Sequence, residues 1–366
     1  MMAWNNRQAY PRVFMNPNEH QLQYPWGDEQ PAPGRAQQVA DGVKWIRMPL
    51  PFALDHINLW LLRDEIDGRQ GWTVVDCGIS RDEVKALWEE VFANELEGLP
   101  VLRVLVTHMH PDHVGLAHWL CERWNAPLWM SMTDFMVGSL WSSRQGGSGP
   151  NGHAAVEHFA RHGLTDPDAQ DQIRRRAGYY PNLVPAMPPR YTRLLHGDRV
   201  AIGGRDWRVI VGYGHAPEHV SLFSPDLSTL ISGDMVLPRI STNISVFDYE
   251  PESNPLPLYL DSLDRYADLP ADTLVLPSHG RPFKGLHQRI AQQHQHHAER
   301  LAEVLEACAQ PQSTSDIVPV LFKRKLDLHQ LTFAMGEALA HLHALYFAGK
   351  VARQTGADGI VRFTAR

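Results

Sequence analysis

The stretch Val101 to Gly115, VLRVLVTHMHPDHVG, constrains this chain more than any other. Residues 101–106 are almost continuously apolar and β-branched, the pattern of a strand covered on both faces. Pro111 stops the strand, and from His113 to Trp124 the spacing turns helical, with Val114, Ala117, Leu120, Cys121 and Trp124 on one stripe. His108, His110, Asp112 and His113 therefore fall in a tight turn at a strand end. Four metal-ligand types within six residues do not fit comfortably around one tetrahedral ion, but they can serve two adjacent ions. A lone histidine is ordinarily a surface or satisfied core residue. H-x-H-x-D-H at a strand end is poorly explained that way.

Every later strand end offers one more ligand type. Strand character at Trp207 to Val211 leads to Gly214-His215-Ala216-Pro217-Glu218-His219, at Leu230 to Ser232 to Gly233-Asp234, and at Thr273 to Leu276 to Pro277-Ser278-His279-Gly280. Residues from four strand ends converge only if the sheets bring those ends together. Zinc accepts imidazole and carboxylate while keeping a position open for water, and two ions about 3.5–4 Å apart need a bridging carboxylate. The expected scheme gives the first ion His108, His110 and His215, and the second Asp112, His113 and His279. Asp234 bridges both alongside a hydroxide, so Asp112 and Asp234 carry catalysis through two zinc ions, with iron or manganese as alternatives. Such a hydroxide is a nucleophile at neutral pH.

The rest of the chain supplies the frame. Residues 1–40, with Pro11, Pro17, Pro25, Pro31 and Pro33, read as an irregular arm without the basic and apolar regions of a signal peptide. Strands are expected at Val43–Leu50, Ile57–Arg63 and Trp72–Asp76, then a helix from Ser80, where Ser80 and Glu83 form an S-x-x-E capping box. After a strand at Ala126–Ser131 the pattern changes over about 132–190. Helical runs separated by Gly146, Gly147, Gly149 and a proline-rich stretch suggest an inserted cap; Trp141, Tyr179 and Tyr180 fit a lid over a pocket, with packing the more ordinary role for any one of them. Two β-rich halves, each closed by helices, make the α/β catalytic unit 41–285 a sandwich of two sheets flanked by helices. Residues 286–366 read as a long polar helix, two further helices and a hairpin around Asp358-Gly359, a winged-helix pattern. The histidines His294, His296 and His297 on the long helix are read as a polar face.

Composition narrows the partners. The net charge of −7 over 366 residues disfavours a general nucleic-acid or membrane-surface binder. Residues 311–366 carry a net charge of only +3, so packing or pairing of two chains into a homodimer suffices for that unit. No apolar run approaches the roughly 18–20 residues of a spanning helix. Three cysteines, Cys77, Cys121 and Cys308, without a C-x-x-C pair, point to a reducing cytoplasm.

Together VVDCG, THMHPDHVG, GHAPEH, SGD and PSHG, in that order from Trp72 to Gly280, resemble the metallo-β-lactamase superfamily. The resemblance implies the αββα sandwich and supports the ligand scheme residue by residue. It also implies that Asp76 orders the site without ligating. His219 stands where many members carry a second histidine after Pro-Gly, but Glu218 replaces that glycine, which leaves His219 a packing role. The complete ligand set is similar to the glyoxalase II, lactonase and nuclease branches, and the tail to a β-lactamase-like endoribonuclease branch. His110 disfavours the flavodiiron branch. The leading expectation is hydrolysis of a small acyl thioester, ester or lactone. Arg239, Tyr249, Arg281 and Lys284 lie just past metal ligands and could hold a carboxylate or a thiol carrier. A single-strand RNA or DNA phosphodiesterase stands second and an iron-dependent persulfide-type oxygenase third. The 102 positions from His113 to His215 exceed what a strand, helix and hairpin need, so specificity is expected from the insert.

Overall fold

The structure, a computed structural model, describes residues 16–143, 152–176 and 178–366, with residues 328 and 329 by backbone alone. Pro11 and the expected joints at Gly146, Gly147 and Gly149 lie outside the described residues. Strands β1 (Ala36–Ala40), β2 (Val43–Pro49), β3 (His56–Ile66) and β4 (Arg69–Val75) form an antiparallel meander. After α1 (Asp82–Asn94), strand β5 (Val101–Leu105) pairs parallel to β4. The chain then forms α2 (Pro111–Val114), α3 (Ala117–Trp124) and β6 (Leu128–Met130), parallel to β5. The insert contributes α4 (Met132–Ser143), α5 (His153–Arg161), α6 (Pro167–Arg175) and α7 (Tyr179–Leu183) before β7 (Tyr191–Arg193) completes a seven-stranded sheet in sequential order.

The second sheet begins with β8 (Arg199–Ile202), β9 (Arg205–Gly212), β10 (His219–Ser224) and β11 (Thr229–Gly233), all antiparallel. Helix α8 (Pro255–Leu263) crosses over to β12 (Leu274–Pro277), which lies parallel to β11, and β13 (Phe283–Lys284) closes the edge. Helices α9 (Leu286–Ala307), α10 (Thr314–Leu321) and α11 (Leu328–Phe347) and the hairpin β14 (Val351–Thr355), β15 (Val361–Ala365) follow.

Alternation along the strands builds the layers. On β3, Trp60 and Leu62 face the second sheet with Trp45, Leu105, Trp207, Val209 and Leu222, while Ile57, Leu59 and Leu61 face α1 and α3. Burying a side chain of this size is worth about 1.5–3 kcal/mol, so a one-residue slip that reversed the two faces of β3 would be costly. A buried ion pair links the sheets: Arg103 donates to Asp64 (2.8 Å), and Asp64 also accepts from the main chain of Gly203 (3.0 Å). The outer face of the second sheet packs on α8, α9, α5, α6 and the C-terminal helices through one continuous core that includes Phe159, Ile173, Val304, Ile317, Leu339 and Phe363. The architecture is the expected sandwich of two sheets between helical layers.

Several local expectations change. Residues 36–40, assigned to the irregular arm, form the edge strand β1 paired with β2. The helix expected over 113–124 is two helices, because the metal-ligand turn itself takes up α2. The Ser80–Glu83 capping box is absent: α1 starts at Asp82 after an extended Arg81, and the Ser80 amide donates to Leu183 instead. The long helix α9 is not a solvent face throughout: Gln293 and His297 are buried against Tyr259 of α8 and His341 of α11, and Gln292 is buried under the N-terminal segment, bonded to Asn16 and Gln21.

Candidate metal centre

Backbone geometry at the strand ends presents the ligands. Strand β5 ends at Leu105, and His110 caps the short helix α2 in extended conformation, with Pro111 at its first position. Asp76, at the end of β4, adopts φ +62°, a left-handed conformation that turns its carboxylate back under the ligand loop. That carboxylate accepts from the Thr107 amide (2.8 Å) and hydroxyl (2.9 Å) and from Nδ1 of His113 (2.8 Å). Asp76 thus orients His113 so that Nε2 faces the centre.

The seven expected ligands lie together in two groups: His108, His110, His215 and Asp234, and Asp112, His113 and His279. Nε2 of His108 lies 2.8 Å from Nδ1 of His110 and 3.2 Å from Nε2 of His215. Asp234 faces both groups. Its Oδ2 is 3.2 Å from His215 and 3.6 Å from His113, and its Oδ1 is 3.4 Å from His279. Asp112 lies 3.4 Å from His279 and 3.7 Å from His113. His215 and His279 each donate Nδ1–H to a main-chain carbonyl, of Asn243 and His56 respectively (both 2.8 Å), which leaves Nε2 as the free lone pair.

These residues fit divalent ions. Nε2 of His113 and Oδ1 of Asp234 are buried without a hydrogen bond of good geometry, an arrangement that is costly unless a cation completes it. Burial and the neighbouring imidazoles, His113 first, hold His108 well below the usual histidine range, and burial with His215 takes His110 down to about 3, so both are neutral donors at pH 7. Burial also works against charge on His113 and His279, but adjacent carboxylates outweigh it. Asp76 leads in raising His113, and Asp234 leads in bringing His279 up to about 10. The same negative charge that stabilises a proton there favours a cation.

Three further residues support the centre, two of which, Asp134 and Asn243, the sequence did not single out. Asp134, buried on α4, accepts from the Met109 amide (2.9 Å), the Glu218 amide (2.7 Å) and Ser131 (3.1 Å), joining the two ligand loops. Burial pushes its carboxyl up to about 6. The S-x-x-D pattern of Ser131 and Asp134 ahead of the helix is the signal that could have found it. His219 does more than pack, because its Nε2 accepts the amide of Asp234 (3.0 Å), and Gly233 leaves room for that ring, where a Cβ would sit 2.3 Å from it. Asn243 connects the centre to α11: its carbonyl holds His215, its side chain donates to Glu337 (3.3 Å), and Val246 donates to the Gly336 carbonyl (3.1 Å).

The remaining expected site residues separate. A cavity of about 370 Å³ opens on His110, Asp112, His215, Asp234 and His279, and Tyr179, Tyr180 and Tyr249 line it. Tyr180 is also structural, donating its hydroxyl to the Met109 carbonyl (2.6 Å). Arg239 and Arg281 line a different cavity that also touches His279. Lys284 lies in β13, paired with Gln23 and Leu274, and lines neither.

The family model of the metallo-beta-lactamase superfamily matches residues 53–279, and that of the metallo-beta-lactamase-like C-terminal domain matches residues 301–366. A probable metallo-hydrolase of Bacillus subtilis strain 168 is 23% identical over 82% of this chain and 91% of its own length. A hydroxyacylglutathione hydrolase of Pseudomonas savastanoi pv. phaseolicola is 31% identical over 68% of this chain and 71% of its own. Among solved structures, a beta-lactamase domain protein from Burkholderia ambifaria is similar at 59% identity with a TM-score of 0.90, covering 95% of this chain and 99% of the other.

Proposed function

The chain belongs to the metallo-beta-lactamase superfamily and is a hydrolase of that class; from this premise we propose that it holds two zinc ions and cleaves a small acyl ester, thioester or lactone. The single observation that carries the reading is that Asp234 faces both ligand groups at the floor of one cavity of about 370 Å³. Two ions bound there would supply Lewis acidity toward a carbonyl and lower the pKa of water to about 7. His108, His110 and His215 would hold one ion, Asp112, His113 and His279 the other, and Asp234 both. The protein's part is to keep this array fixed. The carbonyls of Asn243 and His56 lock two imidazoles in one tautomer, and Asp76 locks a third.

The walls of the cavity favour a small substrate. Leu50, Phe52, Trp141 and Phe247 come from the catalytic unit and its insert, and Phe322 and Phe333 from the C-terminal unit. Arg176 at the end of α6 reaches Thr332 on α11 (3.5 Å), so insert and C-terminal unit meet over the site. In this reading the winged-helix-like unit serves as a wall of the cavity and not as an arm for nucleic acid. Glu337 lines the same cavity, and burial pushes it up to about 7, so its carboxyl can hold or release a proton at neutral pH.

Metal analysis beside a panel of acyl thioesters, lactones and single-stranded RNA tests the reading. Two zinc ions per chain with ester, thioester or lactone turnover supports it, while RNA cleavage without turnover of any acyl substrate overturns it.

A further inference from the structure

The metal centre borders two cavities of similar size and opposite chemistry. The first, about 370 Å³, is the largely apolar chamber described above. The second, about 360 Å³, shares Leu54, Ile240 and His279 with it, and its walls carry Arg47, Arg239 and Arg281. These guanidiniums come from β2, from the loop after Asp234 and from the loop after His279, so three separate segments converge on one space. The N-terminal segment closes it with Asp28 and Gln30, and Tyr24 stacks under Arg281 at 4.2 Å.

Each arginine also has a carboxylate beside it. Arg47 lies 4.0 Å from Asp55, Arg239 lies 3.1 Å from Glu19, and Arg281 pairs with Asp28. The Asp28 side chain is fully exposed and that of Asp55 is 73% exposed. The Arg47 and Arg281 pairs are therefore screened and contribute little, whereas Glu19, 18% exposed and also accepting from Tyr24, holds Arg239 more firmly; a ligand that brings several charges at once can replace the exposed partners. Guanidiniums match phosphate oxygens in pairs, and three of them around one space suit a multiply charged phosphate group better than a single carboxylate.

Resting on the hydrolase reading above, we propose that the substrate is an acyl ester or thioester joining a bulky apolar acyl group to a phosphate-bearing carrier. The acyl group occupies the apolar chamber, the phosphates occupy the arginine chamber, and the scissile bond spans the shared edge at His279. In the reaction water gives its oxygen to the acyl carbon, the bond from that carbon to the carrier's sulfur or oxygen breaks, and the carrier leaves with a proton.

The test uses the metal-loaded full chain with phenylacetyl-coenzyme A, acetyl-coenzyme A and phenylacetyl-N-acetylcysteamine, the last carrying the same acyl group on an uncharged carrier. The expected result is a kcat/KM for phenylacetyl-coenzyme A at least about tenfold above both others, the scale of one good charge-assisted contact or one buried apolar group. Arg281→Met and Arg239→Met should each lower the ratio of the coenzyme A to the N-acetylcysteamine value by about tenfold, chiefly through KM. Equal values for the two phenylacetyl carriers, or a ratio unmoved by both substitutions, overturns the proposal. Calorimetric binding of adenosine 3′,5′-bisphosphate separates the two levels of the argument. Binding that weakens in both variants without turnover of any thioester, ester or lactone leaves the arginine chamber standing and removes the acyl-substrate reading; turnover of the uncharged thioester without such binding does the reverse.

Discussion

Buried histidines form two sets in this protein: the metal centre mixes lowered imidazoles, His108 and His110, with two that carboxylates raise, whereas the second set is lowered throughout. At the metal centre, His113 and His279 are buried among Asp76, Asp112 and Asp234, and their affinity for protons is raised. The second set has two parts, His158, His162 and His343 between the insert and α11, and His296, His297 and His341 between α9 and α11; Arg161, Arg289, Arg300 and Arg353 lie beside them, Glu252 and Glu299 are among the groups in opposition, and all are lowered. Burial dominates the second set, taking His158, His296 and His341 down to about 4 and His162 to about 3. Both sets contain imidazoles tied through Nδ1 to carbonyls, such as His341 to Glu337 and His343 to Ser253 (both 2.8 Å). What separates them is carboxylates facing the free nitrogens. Among the described residues the groups able to hold an ion all lie at the first place.

The sharpest way to break this contrast is to remove the shared carboxylate. Asp234→Ala should abolish metal retention and lower kcat/KM by at least about 10³-fold, the scale of losing a directly acting electrostatic group, while circular dichroism stays native. Retained metal and activity would erase the distinction between the sets. Next in size is Asp76→Asn, which keeps the shape but removes the charge behind His113; chelator competition should show metal affinity falling about 10–100-fold.

Packing beneath the site comes third. A Cβ on Gly336 would lie 2.7 Å from Ser245, beside the Asn243 that orients His215, so Gly336→Ala should cost about 1–3 kcal/mol in denaturant unfolding. It should also loosen metal binding, whereas an unchanged midpoint would show that α11 does not brace the centre. The second histidine set predicts acid sensitivity. Its folded-state pKa values lie below the unfolded value, so its stabilising contribution is complete above pH about 6.5 and is lost as pH falls toward 4. Each such histidine adds at most about 1.4 kcal/mol per pH unit to the slope, and His341→Gln should flatten the stability profile between pH 6.5 and 4 relative to the parent. The smallest effect belongs to His296→Ala, which should leave metal content unchanged; a loss of metal would make the second set part of the site.

Much of the centre was legible because its signals are local. His108, His110, Asp112 and His113 crowd one turn, and each later ligand follows an apolar run, so strand ends and ligands could be read together. The sheets followed from alternation on runs such as Ile57–Arg63. Residues acting across the fold were not legible. Asn243 matters because its carbonyl meets His215 and its amide meets Glu337, 94 positions away, and no periodicity records that. Buried Gln292, Gln293 and His297 looked like a solvent face because their partners lie far off in sequence: Gln21 in the N-terminal segment for Gln292, Tyr259 for Gln293 and His341 for His297. The edge strand β1 sits directly behind a proline-rich segment whose composition masked it.

The central claim is that seven side chains from four strand ends form one centre for two ions. Metal analysis of the purified full chain, paired with anomalous diffraction at the zinc edge, tests it most directly. The account predicts two ions per chain, one among His108, His110 and His215 and one among Asp112, His113 and His279, with Asp234 contacting both. A single iron per chain, or a second ion elsewhere than beside Asp234, would contradict it.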